Sequence, residues 1–556
     1  MSYAVTEPPR QLSCRGRQEE DVMSASIKRI DARALKAALH DGLEIALLDA
    51  REELTFGERH ILMATCMPLG RIEVLANDMV PRRQTRVVWC DDGAGLGERA
   101  AQRMADLGYG DVSVLDGGIA AWESADFRIY SGVHVPSKAF AEVVEHDLST
   151  PWITATELKA LIDAGQDTAL LDSRSFPEYH TNSIPTAVSV PGAELVYRFK
   201  DLVPSPTTMV IVNCGGRTRS IIGAQSLINA GVPNKVVSLK DGTMAWHLAG
   251  FQITRGADQR PPEISPASAE AARRSVGRIA SALCIPRIGP GTLAAWRADS
   301  DRRSLYVLDV RTPEEYELGH VVGVRSAPGG QLVQETDNYL ATWGARVVLA
   351  DTDGVRAVMT ASWLKQMGWG DVAVIRLEDV PGSRVTGPYH PLVLGLESAR
   401  VAAISPAQLK RRLEAGTVTL VDLEYSKPYR NGHIPGAWFA TRTRLGAALE
   451  RLPPAEGIVL TAPDGDLARI AAAELARTAT VPVHALDGGT RAWTLAGYPL
   501  AKGADRMADT ADDVWLSPRE RGGDSESAMR AYLAWEIDLV NQMARDDDQR
   551  FNVAKI

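Results

Sequence analysis

The stretch Met209-Val-Ile-Val-Asn-Cys-Gly-Gly-Arg-Thr-Arg-Ser220 holds the residues best suited to chemistry. An apolar run ends at a single thiol, Cys214. Two glycines and two arginines follow, and a helical pattern runs from Ile221 to Ala230. In such a strand–loop–helix turn, backbone N–H groups at the helix N-terminus converge on an anion. They and nearby cations favour thiolate, the nucleophilic form, so a lowered thiol pKa is expected. A lone cysteine is more often a small buried hydrophobe. The flanks argue against that here: Gly215 and Gly216 let the backbone curl, and a core does not tolerate Arg217 and Arg219 unpaired.

The elements that position this loop recur four times. A short strand ending in Asp reads Ala46-Leu-Leu-Asp-Ala-Arg51, Ala169-Leu-Leu-Asp-Ser-Arg174, Tyr306-Val-Leu-Asp-Val-Arg311 and Thr419-Leu-Val-Asp-Leu-Glu424. A His-Ile or His-Val pair follows at His60, His320 and His433, whereas the second unit reads Asn182-Ser183-Ile184-Pro185. A second apolar strand then enters a loop at Cys90, Cys214, Ala350 or Thr461. Last comes Asp-Gly and a Trp: Asp116 to Trp122, Asp241 to Trp246 and Asp487 to Trp493. The third unit has Glu378-Asp-Val-Pro381 there. Helical patterns (101–107, 224–230, 361–367 and 471–477) and short β-branched strands alternate between the landmarks, which implies parallel β-α-β units. Ligands of such sheets bind at the carboxyl ends of strands, where the Cys214 loop lies.

The expected organisation is α/β: a disordered stretch over 1–25, units over 26–130, 148–255, 287–385 and 400–500, a linker over 256–286, and a tail over 501–556 with an amphipathic helix from Ala528 to Met543. That helix either docks on the body or serves a homodimer. A chain of 556 residues is long enough for three to five domains at roughly 100–200 residues each. A net charge of −9 argues against a general nucleic-acid surface. Five cysteines without paired spacing argue for a reducing compartment and against a disulfide framework or structural zinc. No apolar run of membrane-spanning length and no signal-peptide pattern is found, so a cytoplasmic protein without cofactor or metal is expected.

Taken together and in this order, the four landmarks resemble the rhodanese-like family of thiosulfate:cyanide sulfurtransferases, over about residues 27–500. The resemblance implies four small domains, each with a central, mainly parallel sheet flanked by helices. The family's active loop has the pattern Cys-x-x-Gly-x-Arg-Ser; Cys214 and Arg219 fit it, while Gly216 stands one place early and Arg217 takes the usual Gly place. The implied reaction takes sulfane sulfur from a donor such as thiosulfate onto Cys214 and passes it to cyanide or a thiol. Amides from Gly215 through Thr218 and Arg219 to Ser220 would cradle the persulfide, and Arg217 and Arg219 would orient the donor's oxyanion end. Ser220 caps the following helix or contacts sulfur. Asp172 and Arg174 are expected to serve the fold as an ion pair, and Arg198 is a further candidate for the pocket. His180 reads as a solvated loop residue. Cys90, followed by Asp91 and Asp92, is expected to be inert because carboxylates raise a thiol's pKa and repel thiosulfate. Ala350 and Thr461 cannot carry sulfur.

Two rivals remain open. The first is a phosphatase or arsenate reductase of the same fold, whose Cys loop is one residue longer than the interval from Cys214 to Arg219. The second is a carrier or docking protein that receives sulfur from a partner.

Overall fold

Each Asp-terminated run is a central strand. Ile45–Asp49, Thr168–Asp172, Leu305–Asp309 and Val418–Asp422 pair in parallel with the strands that enter the four loops, Arg86–Cys90, Met209–Asn213, Arg346–Asp351 and Gly457–Thr461. These runs are apolar on both faces because helices cover both sides, as buried parallel sheets require. The computed structural model describes residues 27–556, so the disorder expected over 1–25 lies outside the described residues.

The second unit has five parallel strands in the spatial order Trp152–Ile153, Val236–Leu239, Met209–Asn213, Thr168–Asp172, Val188–Ser189. The fourth unit repeats this order. The first adds an antiparallel strand, Thr342–Trp343, lent by the third unit. The third has a parallel sheet of four strands, and the short 3-10 turn Leu377–Asp379 stands where the other units place a helix.

The landmarks have structural reasons. The Asp49, Asp172 and Asp309 carboxylates each accept from the guanidinium two residues on, at 2.6–2.9 Å. Arg51, Arg174 and Arg311 then donate onward to the carbonyls of Arg59, Asn182 and Gly319, at 2.6, 2.6 and 2.8 Å. The pair therefore ties the first landmark to the second, the fold role expected of Asp172 and Arg174. In the fourth unit Glu424 replaces the arginine, and burial pushes Asp422 up to about 7. The tryptophans are buried, and the indole N–H of Trp122, Trp246 and Trp493 donates to the carbonyl of Arg128, Gln252 and Pro499 respectively.

The second and third units share one core that includes Phe140, Leu195, Leu332 and Trp363. The first and fourth meet through Arg442, which holds Glu73 at 2.6 Å. The helix Val135–Leu148 fills the gap between the first two expected units, and the tail helix Ser525–Met543 docks on it through Leu539 and Met543. Among the described residues, no helix is long and apolar enough to cross a membrane.

Candidate functional site

Strand Met209–Asn213 delivers Cys214 to the carboxyl edge of the second sheet, and helix Thr218–Asn229 begins four residues later. The turn is clamped from the other side by helix Gly242–Leu248. Thr243 N–H donates to the Cys214 carbonyl at 2.8 Å, and Met244 N–H to that of Gly215 at 3.1 Å. This approach needs a glycine: Gly242 has φ +53°, and a Cβ there would stand 2.3 Å from the Cys214 oxygen. Gly118 and Gly489 meet the backbone of Asp91 and Ala462 in the same way, at 2.5 and 2.1 Å. The recurrent Asp-Gly landmark is therefore a packing device for the loop, with or without a thiol.

The N–H groups of Gly216 to Arg219, in the turn after Cys214 and the first residues of the helix, make no hydrogen bond to protein among the described residues. Unpaired amides at a helix N-terminus can serve as an anion cradle. Two other units fill the same space themselves. Asp91 accepts from Gly93 N–H and Gly97 N–H at 2.8 and 3.1 Å. Asp351 accepts from Gly354 N–H and Ala357 N–H at 2.7 and 2.8 Å. Gly215 occupies the matching position in the second unit. Beyond the repulsion expected of its carboxylates, the first loop is closed by Asp91 acting as a built-in anion.

Cys214 is 2% exposed. Burial pushes its thiol up, while the Arg219 charge and the hydroxyl and N–H of Ser220 pull it back. This corrects the expectation of a lowered thiol pKa: desolvation outweighs the cradle in the closed site. Cys90 goes well above its ordinary value, driven by burial and then by Asp49. Of the two roles left open for Ser220, the structure gives the contact with sulfur: the N-cap is Arg217, while the Ser220 hydroxyl donates to the Arg217 carbonyl at 2.8 Å and accepts from the Cys214 thiol at 3.6 Å.

The two loop arginines are both spoken for. Arg217 was expected to orient a donor, but its guanidinium is bound by Glu142, Glu145 and Asp241 at 2.6–2.9 Å. Sequence proximity hid this because Glu142 and Glu145 sit on a helix some 75 residues upstream. Arg219 forms a two-pronged pair with Glu178 at 2.6 and 2.7 Å and donates to Gln331 of the third unit at 3.1 Å. Its charge still bears on Cys214. Arg198 does not join the loop: it donates to Glu194 at 2.6 Å and to the Pro262 carbonyl at 3.1 Å. Among the described residues, the ligand-like grouping His40, Asp547 and Asp548 lies apart from the site, and Lys36 donates to both of its carboxylates.

A model of the rhodanese-like domain matches residues 31–125, 154–249, 290–377 and 405–496. The chain belongs to the rhodanese-like family. It is similar over 95% of its length to a crystal structure of thiosulfate sulfurtransferase from Pseudomonas aeruginosa, with 46% identity, a TM-score of 0.89 and all of that chain covered. An HTH-type transcriptional regulator of Mycobacterium tuberculosis is 40% identical over 216 residues, which is 37% of this chain and 89% of the regulator.

In this four-fold rhodanese array, part of the wall around Cys214 comes from outside the repeats. Thr218 donates to Glu536 of the tail helix at 2.9 Å, and a Cβ on Gly216 would lie 3.2 Å from the other Glu536 oxygen. Tyr532 and Leu533 line the same face of Gly216. Sequence reading missed these residues, because the amphipathic pattern of the tail indicates a docking helix without indicating what it docks on.

Proposed function

We propose that this protein is a sulfurtransferase in which Cys214 takes the sulfane sulfur of thiosulfate, or of a related small donor, and passes it to cyanide or a thiol. The observation that carries the reading is the open amide cradle around Cys214, set against loops one and three, where an aspartate fills the same space. Cys214 gives up its proton, and the thiolate attacks the outer sulfur of the donor. A new S–S bond forms as the old one breaks, and sulfite leaves with the bonding electron pair. The acceptor then attacks the outer sulfur of the persulfide and regenerates the Cys214 thiolate. Two half-reactions on one nucleophile give ping-pong kinetics.

The cradle suits this chemistry because unpaired amide donors next to Cys214 can stabilise the charge that develops on sulfur. The interval from Cys214 to Arg219 is one residue shorter than in the phosphatase or arsenate reductase form of the loop, which favours sulfur transfer over phosphoryl transfer. The test is a panel of thiosulfate, mercaptopyruvate, glutathione persulfide and an aryl phosphate. Turnover of a sulfur donor with no phosphate release supports the reading; phosphate release without sulfur transfer refutes it.

A further inference from the structure

The second unit departs from the array's His motif, carrying Asn182 where the third and fourth units have Gly319 and Gly432. That asparagine recruits a residue from the tail. Arg519 donates through Nη1 to the Asn182 side-chain oxygen at 2.6 Å, and Arg174 donates to the same oxygen at 3.2 Å. Arg174 in turn packs on the loop, its Cδ 3.8 Å from where a Gly215 Cβ would stand. Ser183 bridges to Thr254, which brings in Arg255. The outer nitrogen of Arg519, Nη2, is buried without a hydrogen-bond partner, and Arg519 makes no ion pair among the described residues. Burial, then Arg174 and Arg255, lower its pKa to about 10.

A guanidinium nitrogen left unpaired beside two other cations is costly unless an anion is bound there. The reaction proposed above needs such a site. A thiosulfate dianion places its sulfane sulfur in the cradle and its oxygens outside it, yet Arg217 and Arg219 are already paired with carboxylates. We infer that Arg519, held by Asn182 beside Arg174, is the specificity-determining residue that binds the oxyanion end of the sulfur donor, and the sulfite that leaves. The inference rests on the sulfurtransferase reading. It gives the polar segment before the tail helix a function, because that segment carries the missing cation to the unit whose loop holds a thiol with no aspartate beside it.

The test uses the full-length chain. Arg519→Gln is expected to raise KM for thiosulfate about tenfold, the scale of one charge-assisted hydrogen bond, with kcat within about twofold and KM for cyanide unchanged. Arg519→Lys restores most of the loss. An unchanged thiosulfate KM in an Arg519→Gln protein that melts as wild type, or a shift confined to the acceptor, overturns the assignment. Sulfite titration of Cys214→Ser, which cannot turn over, gives a second measurement. Adding Arg519→Gln is expected to weaken sulfite binding about tenfold; no binding, or an affinity indifferent to Arg519, overturns it. The two readings fail separately. If the sulfurtransferase reading fails, wild-type Cys214 gains no sulfur whatever Arg519 does. If only this inference fails, sulfur loading persists and the thiosulfate KM does not respond to Arg519.

Discussion

Thr218 and Glu536 are hydrogen-bonded at 2.9 Å across 318 residues of chain, joining the first turn of the helix behind Cys214 to the helix that closes the protein. The other Glu536 oxygen is buried without a partner. The tail helix is thus part of the wall around the thiol. Ending the chain before Asp524 is expected to expose Cys214 and to speed its alkylation by iodoacetamide by at least about tenfold, equivalent to about 1.4 kcal/mol of lost protection. An alkylation rate equal to wild type would show that the helix does not guard the thiol.

Installing a thiol in a degenerate loop does not restore the site. Ala350→Cys is expected to gain no sulfur from thiosulfate, because Asp351 keeps the amides of Gly354 and Ala357 occupied. Intact-protein mass spectrometry on a Cys214→Ser background reads this directly. Sulfur on residue 350 would mean that the aspartate is no barrier.

Arg217 is a structural cation. Arg217→Ala leaves Glu142, Glu145 and Asp241 facing one another without their shared partner. Breaking a buried pair of this kind costs about 3–5 kcal/mol, so thermal melting is expected to fall by several degrees or more. Arg219→Ala also strands Glu178, but it acts in addition on Cys214 and is expected to lower sulfur transfer by more than its effect on melting accounts for.

The raised thiol fixes the pH dependence. An acid whose pKa is raised by folding stays protonated in the native state beyond its unfolded value, about 8.5 for cysteine. Turnover that needs the thiolate therefore climbs through neutral pH into the alkaline range, about tenfold per unit until the thiol ionises. The matching contribution to stability is present below the unfolded value and is lost as pH rises through the native one. Ser220→Ala removes the side-chain hydrogen bond that pulls the Cys214 pKa down and is expected to move the ascending limb of kcat/KM to higher pH. A limb that stays in place would take Ser220 out of the site.

Most of the fold was legible because the landmarks are local. An apolar run ending in Asp must be a buried strand with its polar end at the sheet edge, and the glycine of the Asp-Gly motif must meet backbone closely. Cys214, Arg219 and Ser220 follow from spacing along one loop. What sequence could not show depends on contacts between distant segments. Nothing near Arg217 announces that a helix ending at Leu148 holds its carboxylate partners. Nothing near Thr218 announces Glu536. The thiol pKa was misjudged for the same reason: the loop's donors are written in the sequence around it, while the desolvation that opposes them comes from the elements packed over it.

Cys214 alone is expected to carry the transferred sulfur. Intact mass spectrometry after incubation with thiosulfate and removal of excess donor tests it most directly. Wild type and Cys90→Ser are expected to gain one sulfur atom and to lose it on adding cyanide, and Cys214→Ser is expected to gain none. Sulfur retained by Cys214→Ser, or lost equally from Cys90→Ser, would contradict it.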